Sequence, residues 1–195
     1  MNEKINLDNF VNINYLEKYF NKLYKVPRSI LGEGFRKSLN IIGEIADLKI
    51  KKVKSGTNVL DWTIPDEWNI KDAYIISPEG KKICEFNKHN LHLVNYSIPI
   101  NKTVNLEELK KKIHTLPNVP NAIPYVTSYY NRTWGFCMKH KDYLKLKKGK
   151  YKVFIDSKIK PGNLVYSDKL IPGKSKKEIL LSTYLCHPQM ANHEL

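Results

Sequence analysis

Apolar residues recur at steps of three and four through the first segment, "NFVNINYLEKYFNKLYK". Ile13, Leu16, Phe20 and Leu23 fall on one side of a 3.6-residue period, which predicts an amphipathic helix ended by Pro27. A second helix is predicted across "EGFRKSLNIIGEIA", with Phe35, Leu39, Ile42 and Ile45 on one side, after an "LGEG" turn. Arg28 and Glu33 lie at the junction of the two helices; one reading makes them part of a site, and the commoner one, adopted as the expectation, makes them surface residues. From about Leu48 the period changes to two. "LKIKKVKSGTNVLDWTIP" alternates as strands do, "DAYIISPEGKKICEF" reads as a hairpin turning at Pro-Glu-Gly, and "NLHLVNYSIPI" predicts a further strand. "NLEELKKKIHTLP" predicts a helix capped by Asn105 and ended by Pro117. Three strand-like runs close the chain: "YKVFIDSKI", "GNLVYSDKLI" and "KEILLSTYLC". Pro161-Gly162 turns between the first two, and "IPGKSKKE" separates the second from the third.

This order of elements indicates an α/β fold. A helical part (residues 1–54) and a later strand-rich part (121–195) flank a β-rich stretch at 55–120 with a single short helix. An inserted subdomain accounts for that break in pattern. No internal repeat, GxGxxG or phosphate loop is present.

Composition narrows the class. A chain of 195 residues with 42% hydrophobic and 11% aromatic residues can bury a sizeable core. No apolar run approaches the roughly 20 residues that span a bilayer, and the first ten residues lack the apolar centre of a signal peptide, so a cytoplasmic location with no membrane partner is expected. Three widely spaced cysteines, Cys84, Cys137 and Cys186, fit neither a disulfide framework nor a zinc finger. The net charge of +14 suggests polyanions, yet only Arg28, Arg36 and Arg132 among the 33 basic residues are arginines, the residue that bidentate phosphate and base recognition favours. Salt-sensitive adsorption to polyanions is expected, and specific nucleic-acid binding is not.

The candidate chemistry lies in "LLSTYLCHPQMANHEL". "EILLSTYLC" is nearly continuous in apolar residues, as a strand buried on both faces of an α/β sheet is. Pro188 cannot continue a ladder and pushes His187 towards an extended backbone. His187 therefore falls at the carboxyl end of a buried strand, where ligands bind in open α/β sheets, and an imidazole there suits zinc if other donors converge. His193 and Glu194 are the nearest candidates, with Asn192 able to hydrogen-bond. The plain alternative is that His-Pro simply ends a strand. His89, His92, His114 and His140 read as solvated or satisfied by backbone. No nucleophile elbow exists, and Cys186 and His187, as strand neighbours, point to opposite faces; Cys186 reads as a small buried packing residue.

"WTIPDEWNIKDAYI", "NLHLVNYSIPIN", "LPNVPNAIPYVTSYY", "RTWGFCMKH" and "LLSTYLCHPQMANHEL" together resemble the bacterial aminopeptidase-like family catalogued as domain of unknown function 4910. The resemblance runs from about Arg28 to Leu195. It implies likeness to co-catalytic zinc aminopeptidases: the N-terminal part of a zinc-exopeptidase-like α/β/α domain interrupted by a small β-rich inserted domain, with a winged helix at the far end of complete members. In such enzymes the first metal-binding histidine ends a core strand, and His187 matches it. A bridging aspartate follows in an Ala-(Asp/Asn)-Asp-(Asn/Asp)-x-Ser-Gly motif; "ANHEL" places Asn192 before that position and His193 at it. Histidine can ligate one metal but does not bridge two as a carboxylate does. Gln189 stands where the usual supporting aspartate would. The Ser-Gly, the general-base glutamate, the later ligands and the winged helix would lie beyond Leu195.

The resemblance thus implies a metallopeptidase-like hydrolase scaffold acting on a peptide or amide in complete relatives, with one or two zinc ions, and inactive in this form. Its alternatives are a non-catalytic binding protein associated with surface-polysaccharide pathways and a basic nucleic-acid binder. An uncovered core strand would expose apolar surface and favour self-association into a homo-oligomer.

Overall fold

The computed structural model describes residues 13–129 and 131–190. Its elements, in chain order, are α1 (Ile13–Tyr24), α2 (Glu33–Gly43), β1 (Lys49–Lys54), β2 (Asn58–Val59), β3 (Trp62–Thr63), β4 (Glu67–Ile76), β5 (Lys82–Ile83), β6 (Ile100–Asn105), α3 (Leu106–Lys110), β7 (Ile113–His114), β8 (Phe136–Cys137), α4 (His140–Tyr143), β9 (Lys150–Lys160) and β10 (Asn163–Asp168). Short 3-10 turns cover Asn90–His92 and Pro188–Met190. The described chain is therefore mixed α and β, with sheets and few helices.

A four-stranded antiparallel sheet in the order β5-β4-β9-β6 organises the core. Along β9, Tyr151, Val153, Ile155 and Ser157 are buried in strict alternation, the signature of a strand with one covered face. On β4 the alternation changes phase: Trp68 and Ile70 pack against the core, then Ala73 and Ile75 do. A register shift between Ile70 and Asp72 explains it, because one extra residue in β4 returns odd-numbered side chains to the face that even-numbered ones had occupied. Leu93, Tyr96, Trp134, Phe136 and Met138, all in turns, loops or the very short β8, cover that face. The sheet takes β4, β5 and β6 from the stretch expected as an insert, and β9 from the stretch that follows it.

A second, two-stranded antiparallel ribbon pairs β1 with β10, from Lys49 opposite Asp168 to Lys54 opposite Asn163. It meets α2 through β10, where Val165 is buried. Arg36 of α2 ties this region to the sheet. Its guanidinium donates to both oxygens of Glu67 at 2.5 and 3.0 Å and to Glu33 at 2.6 Å, while Asn163 N donates to Glu67 at 2.9 Å. Gly162 lets this happen: a Cβ there would stand 2.2 Å from Glu67 Cδ. Gly32 is needed for another reason, with φ at 141° and Trp68 O only 2.4 Å from where its Cβ would be. The first turn of α2 is held by Asn69 Oδ1, which accepts from Glu33 N at 2.8 Å.

The two N-terminal helices form where the periodicity predicts, but their apolar faces are incompletely covered. Leu23 and Leu39 are buried, whereas Ile13, Leu16 and Ile45 are exposed, so only the end of α1 and the middle of α2 pack. The Pro-Glu-Gly turn joins β4 to β5 as expected, with Gly80 at φ 78°. Three other expectations are corrected. "NLHLVNYSIPI" is buried but is not a strand up to Ile100. Tyr96 takes φ 67°, and the backbone divides its hydrogen bonds between two segments: Val94 N to Gly135 O, Ile98 N to Thr133 O, and Asn95 N to Val126 O. The helix at "NLEELKKK" is capped by Asn105, whose Oδ1 accepts from Glu108 N at 2.8 Å, but it lasts only to Lys110, because Ile113–His114 pairs in parallel with β8. "KEILLSTYLC" forms no ladder, and Ile179, Leu180 and Leu181 are about 90% exposed. Near-continuous apolarity marks a segment that would suit burial; it does not supply a neighbouring strand.

Candidate functional site

Arg28 builds the site. Expected at the surface, it is 0% exposed, the largest fully buried side chain of the described residues. Pro27 stops α1 and leaves the last carbonyls of that helix without intrahelical donors. Arg28 Nη1 donates to Leu23 O at 2.6 Å, beside Val26 N, which donates to the same oxygen at 3.0 Å, and places a cation at the negative end of the helix. Its Nε donates to His187 O at 2.9 Å, across 159 residues of sequence. Asn95 Nδ2 in turn donates to Arg28 O at 2.9 Å, and Asn90 Nδ2 to Val26 O at 3.4 Å. The α1–α2 junction, the irregular 90–97 segment and the His187 backbone are thereby one hydrogen-bonded unit.

The imidazole of His187, half-buried, meets two tyrosine rings edge-on. Tyr125 lies 4.8 Å away at 83° and Tyr184 5.1 Å away at 79°. Such T-shaped contacts limit ring rotation and so define where its nitrogens point. Pro188 is buried, and the turn that it opens lies against α1 and the Asn90–His92 turn.

Beside this unit is a cleft of about 190 Å3, lined by Lys25, Pro27, Phe86, His89, Asn90 and Gln189 among others. Gln189 is in the left-handed region, φ 56°. His89 and His92 lie with ring centroids 5.8 Å apart. His92 Nδ1 is 2.8 Å from Cys137 O, which holds its orientation. Burial holds both imidazoles below the ordinary histidine pKa, with Lys139 adding to the effect and His92 also acting on His89. His140 Nδ1 is 2.9 Å from Thr115 Oγ1, and burial lowers the pKa of His114. Cys186 is half-buried, less enclosed than expected.

Of the residues singled out as metal donors, the structure places His187. His193 and Glu194, with Asn192, lie outside the described residues. Among the described residues no three His, Cys, Asp or Glu side chains come together as a metal would require. Of the residues that hold His187, Arg28 was placed at the surface by the sequence reading, and Tyr125 and Tyr184 were not singled out. One signal was available for the first of them: in a chain with 33 basic residues, an arginine is a rare choice, and both Arg28 and Arg36 are used for directional hydrogen bonds that lysine cannot duplicate.

Residues 67–158 match the family model described as Domain of unknown function (DUF2172), a different one from domain of unknown function 4910. The chain is 47% identical over 174 residues to a Clostridium acetobutylicum protein named as a candidate polysaccharide biosynthesis protein with aminopeptidase-like domain, covering 89% of this chain and 40% of that one. It is similar to a crystal structure of a candidate peptidase from Clostridium acetobutylicum with a TM-score of 0.87 and 45% identity, covering 92% of this chain and 42% of the other. The chain thus spans about two fifths of the length of these relatives. The likenesses support a peptidase-like scaffold of aminopeptidase-like kind. Among the described residues no helix is long and apolar enough to cross a membrane.

Proposed function

We propose that this chain forms the N-terminal portion of a zinc-dependent aminopeptidase-like hydrolase, cytoplasmic in location, and that it does not hydrolyse peptides by itself. The observation that carries the reading is the anchoring of His187, whose backbone is gripped by a buried arginine and whose ring is wedged between two tyrosines, on a scaffold similar to that of a candidate peptidase. Holding an imidazole in a set orientation is what a metal ligand requires. The described residues supply only that one donor, so His193 and Glu194 are the proposed further ligands. A zinc ion there would act as a Lewis acid on a peptide or amide carbonyl and lower the pKa of a bound water. What this chain contributes is the positioning: Arg28 fixes the His187 main chain, and Tyr125 and Tyr184 fix its ring.

The test is zinc titration of the purified chain by calorimetry, beside the His187→Ala variant. Uptake of zinc that is lost in the variant is expected, together with no release of an aminoacyl reporter. Zinc binding unaffected by His187→Ala would overturn the ligand assignment, and zinc-dependent cleavage by the chain alone would overturn its inactivity. A second reading, a non-catalytic binding protein associated with surface-polysaccharide synthesis, draws support only from the words polysaccharide biosynthesis in the name of the Clostridium acetobutylicum relative. Absence of any zinc uptake would favour it. The exposed Ile179, Leu180 and Leu181 support self-association, checked by light scattering of the wild type and a Leu180→Asp variant. Specific nucleic-acid binding is not proposed.

A further inference from the structure

The hairpin of β2 and β3 carries a side chain whose position the fold does not explain. Val59 pairs with Trp62, so Leu60 and Asp61 alone form the turn, and Asn58 Oδ1 accepts from Thr63 Oγ1 at 2.8 Å across the strands. Leu60 takes φ 55°. The tight turns that close such hairpins need a positive φ at this position, which glycine and asparagine adopt at little cost and leucine does not. Burial does not offset that cost. Leu60 is 99% exposed, more than any other large apolar residue among those described, and its neighbour Val59 is 42% exposed. A strained residue whose side chain gains nothing within its own chain points to something outside that receives it.

The root of this hairpin is basic. Thr57 N donates to Lys54 O at 3.2 Å and Gly56 N to Ile64 O at 2.8 Å, so the hairpin stands directly on the end of β1. Ser55 N donates to Gly162 O at 3.0 Å and its hydroxyl accepts from Gly162 N at 2.9 Å, which brings the end of β9 to the same place. Lys52, Lys54 and Lys160 are exposed there, and none of them has an ion pair among the described residues. We infer that the hairpin is a peripheral membrane anchor, with Leu60 and Val59 entering the boundary between headgroups and acyl chains of an anionic bilayer while Lys52, Lys54 and Lys160 lie over its headgroup charges. The expectation of no membrane partner rests on the lack of a spanning run, which attachment of this kind does not require. Asp61, exposed beside Leu60, sets the depth, because its carboxylate must stay at headgroup level. A nucleic acid offers the same negative charge but no apolar layer for the leucine. An acidic protein surface favours arginine, whose planar fork pairs carboxylates bidentately, and residues 49–64 and 158–163 contain none. Lysine, a point charge on a flexible stem, suits a diffuse anionic surface.

The experiment is co-sedimentation of the full chain with vesicles of phosphatidylcholine alone and of phosphatidylcholine containing about 30% phosphatidylserine, at about 0.1 M salt. Binding to the anionic vesicles is expected, and little to the neutral ones. Leu60→Asn keeps a residue that accepts a positive φ and removes the apolar tip; it should weaken binding roughly tenfold, as loss of one inserted leucine does, without lowering the melting temperature. Lys52→Gln and Lys54→Gln should each weaken it about fivefold. Leu170→Asn, beyond the other end of the β1–β10 ribbon and 80% exposed in the wild type, should bind as the wild type does. The inference is overturned if the anionic vesicles are not bound. It is equally overturned if Leu60→Asn binds them as tightly as the wild type, which would reduce the attraction to that of any polyanion, or if Leu170→Asn weakens binding as much as Leu60→Asn, which would make it unspecific apolar adsorption.

Discussion

Replacing Glu67 with glutamine isolates the contact that fastens α2 and the β1–β10 ribbon to the sheet. Glu67 is 4% exposed and accepts two hydrogen bonds from Arg36 and one from Asn163 N. Glutamine keeps the shape and the oxygen for Asn163 but turns an NH2 group toward the guanidinium. Hydrogen bonds to charged groups contribute about 1.5–3 kcal/mol. Arg36 retains Glu33 at 2.6 Å, and its side chain is 27% exposed, so water recovers part of the loss. A destabilisation of about 2 kcal/mol follows. In urea, with a slope of roughly 1–3 kcal/mol per M, the midpoint falls by about 1 M, read from the fluorescence of the neighbouring Trp68. Arg36→Met is expected to cost more, about 3–5 kcal/mol, because it strands a buried carboxylate instead of a partly hydrated cation. The pH dependence has a definite sign. Arg36 holds the Glu67 carboxyl below its ordinary 4.5, so this stabilisation is complete above about pH 4.5 and is lost as the pH falls through the lowered value. Glu67→Gln should flatten that acid limb. A loss under about 0.5 kcal/mol, with the acid limb unchanged, would show that the pair behaves as an ordinary surface ion pair and that the reasoning is wrong.

Gly162→Ala should destabilise by about 1–3 kcal/mol, since its Cβ would collide with the Glu67 side chain; combining it with Glu67→Ala should remove most of that cost, a coupling measurable in a double-mutant cycle. Arg28→Met should free the His187 backbone, so hydrogen exchange in residues 185–190 should accelerate well beyond that of β9; equal protection in both proteins would contradict the anchoring role. Burial raises the thiol pKa of Cys84 and pushes that of Cys137 up to about 12, so at pH 8 a thiol reagent should label Cys186 alone in the native protein and all three cysteines after denaturation.

Local signals in the chain translated into local structure wherever one segment's own chemistry was decisive. The apolar period of α1 and α2, the Asn105 cap and the Pro-Glu-Gly turn depend on residues within a few positions of one another, and all are present. Reading failed where the deciding partner was remote. "NLHLVNYSIPI" has the composition of a strand, but its amides are shared between Val126 and the Thr133–Gly135 stretch, with Ser97 O accepting from both Trp68 Nε1 and Ser157 Oγ. The candidate site was legible in part. His187 was found because a proline after an apolar run marks an abrupt end. The surroundings that orient it come from residues 28, 95 and 125, which no spacing rule connects to position 187.

The amino-acid sequence determined which segments could bury a face, where the helix after Asn105 starts, and that the chemistry available near the end of the described chain is that of an imidazole beside a proline. Only the tertiary structure decided that β9 joins strands from before residue 120, that a one-residue bulge in β4 keeps its apolar residues on one face, and that Arg28 is interior. The physical reason is the same in each case. Periodicity and capping are properties of a few consecutive residues, whereas pairing register, burial of a charge and the orientation of a side chain depend on which distant groups are brought within hydrogen-bonding distance.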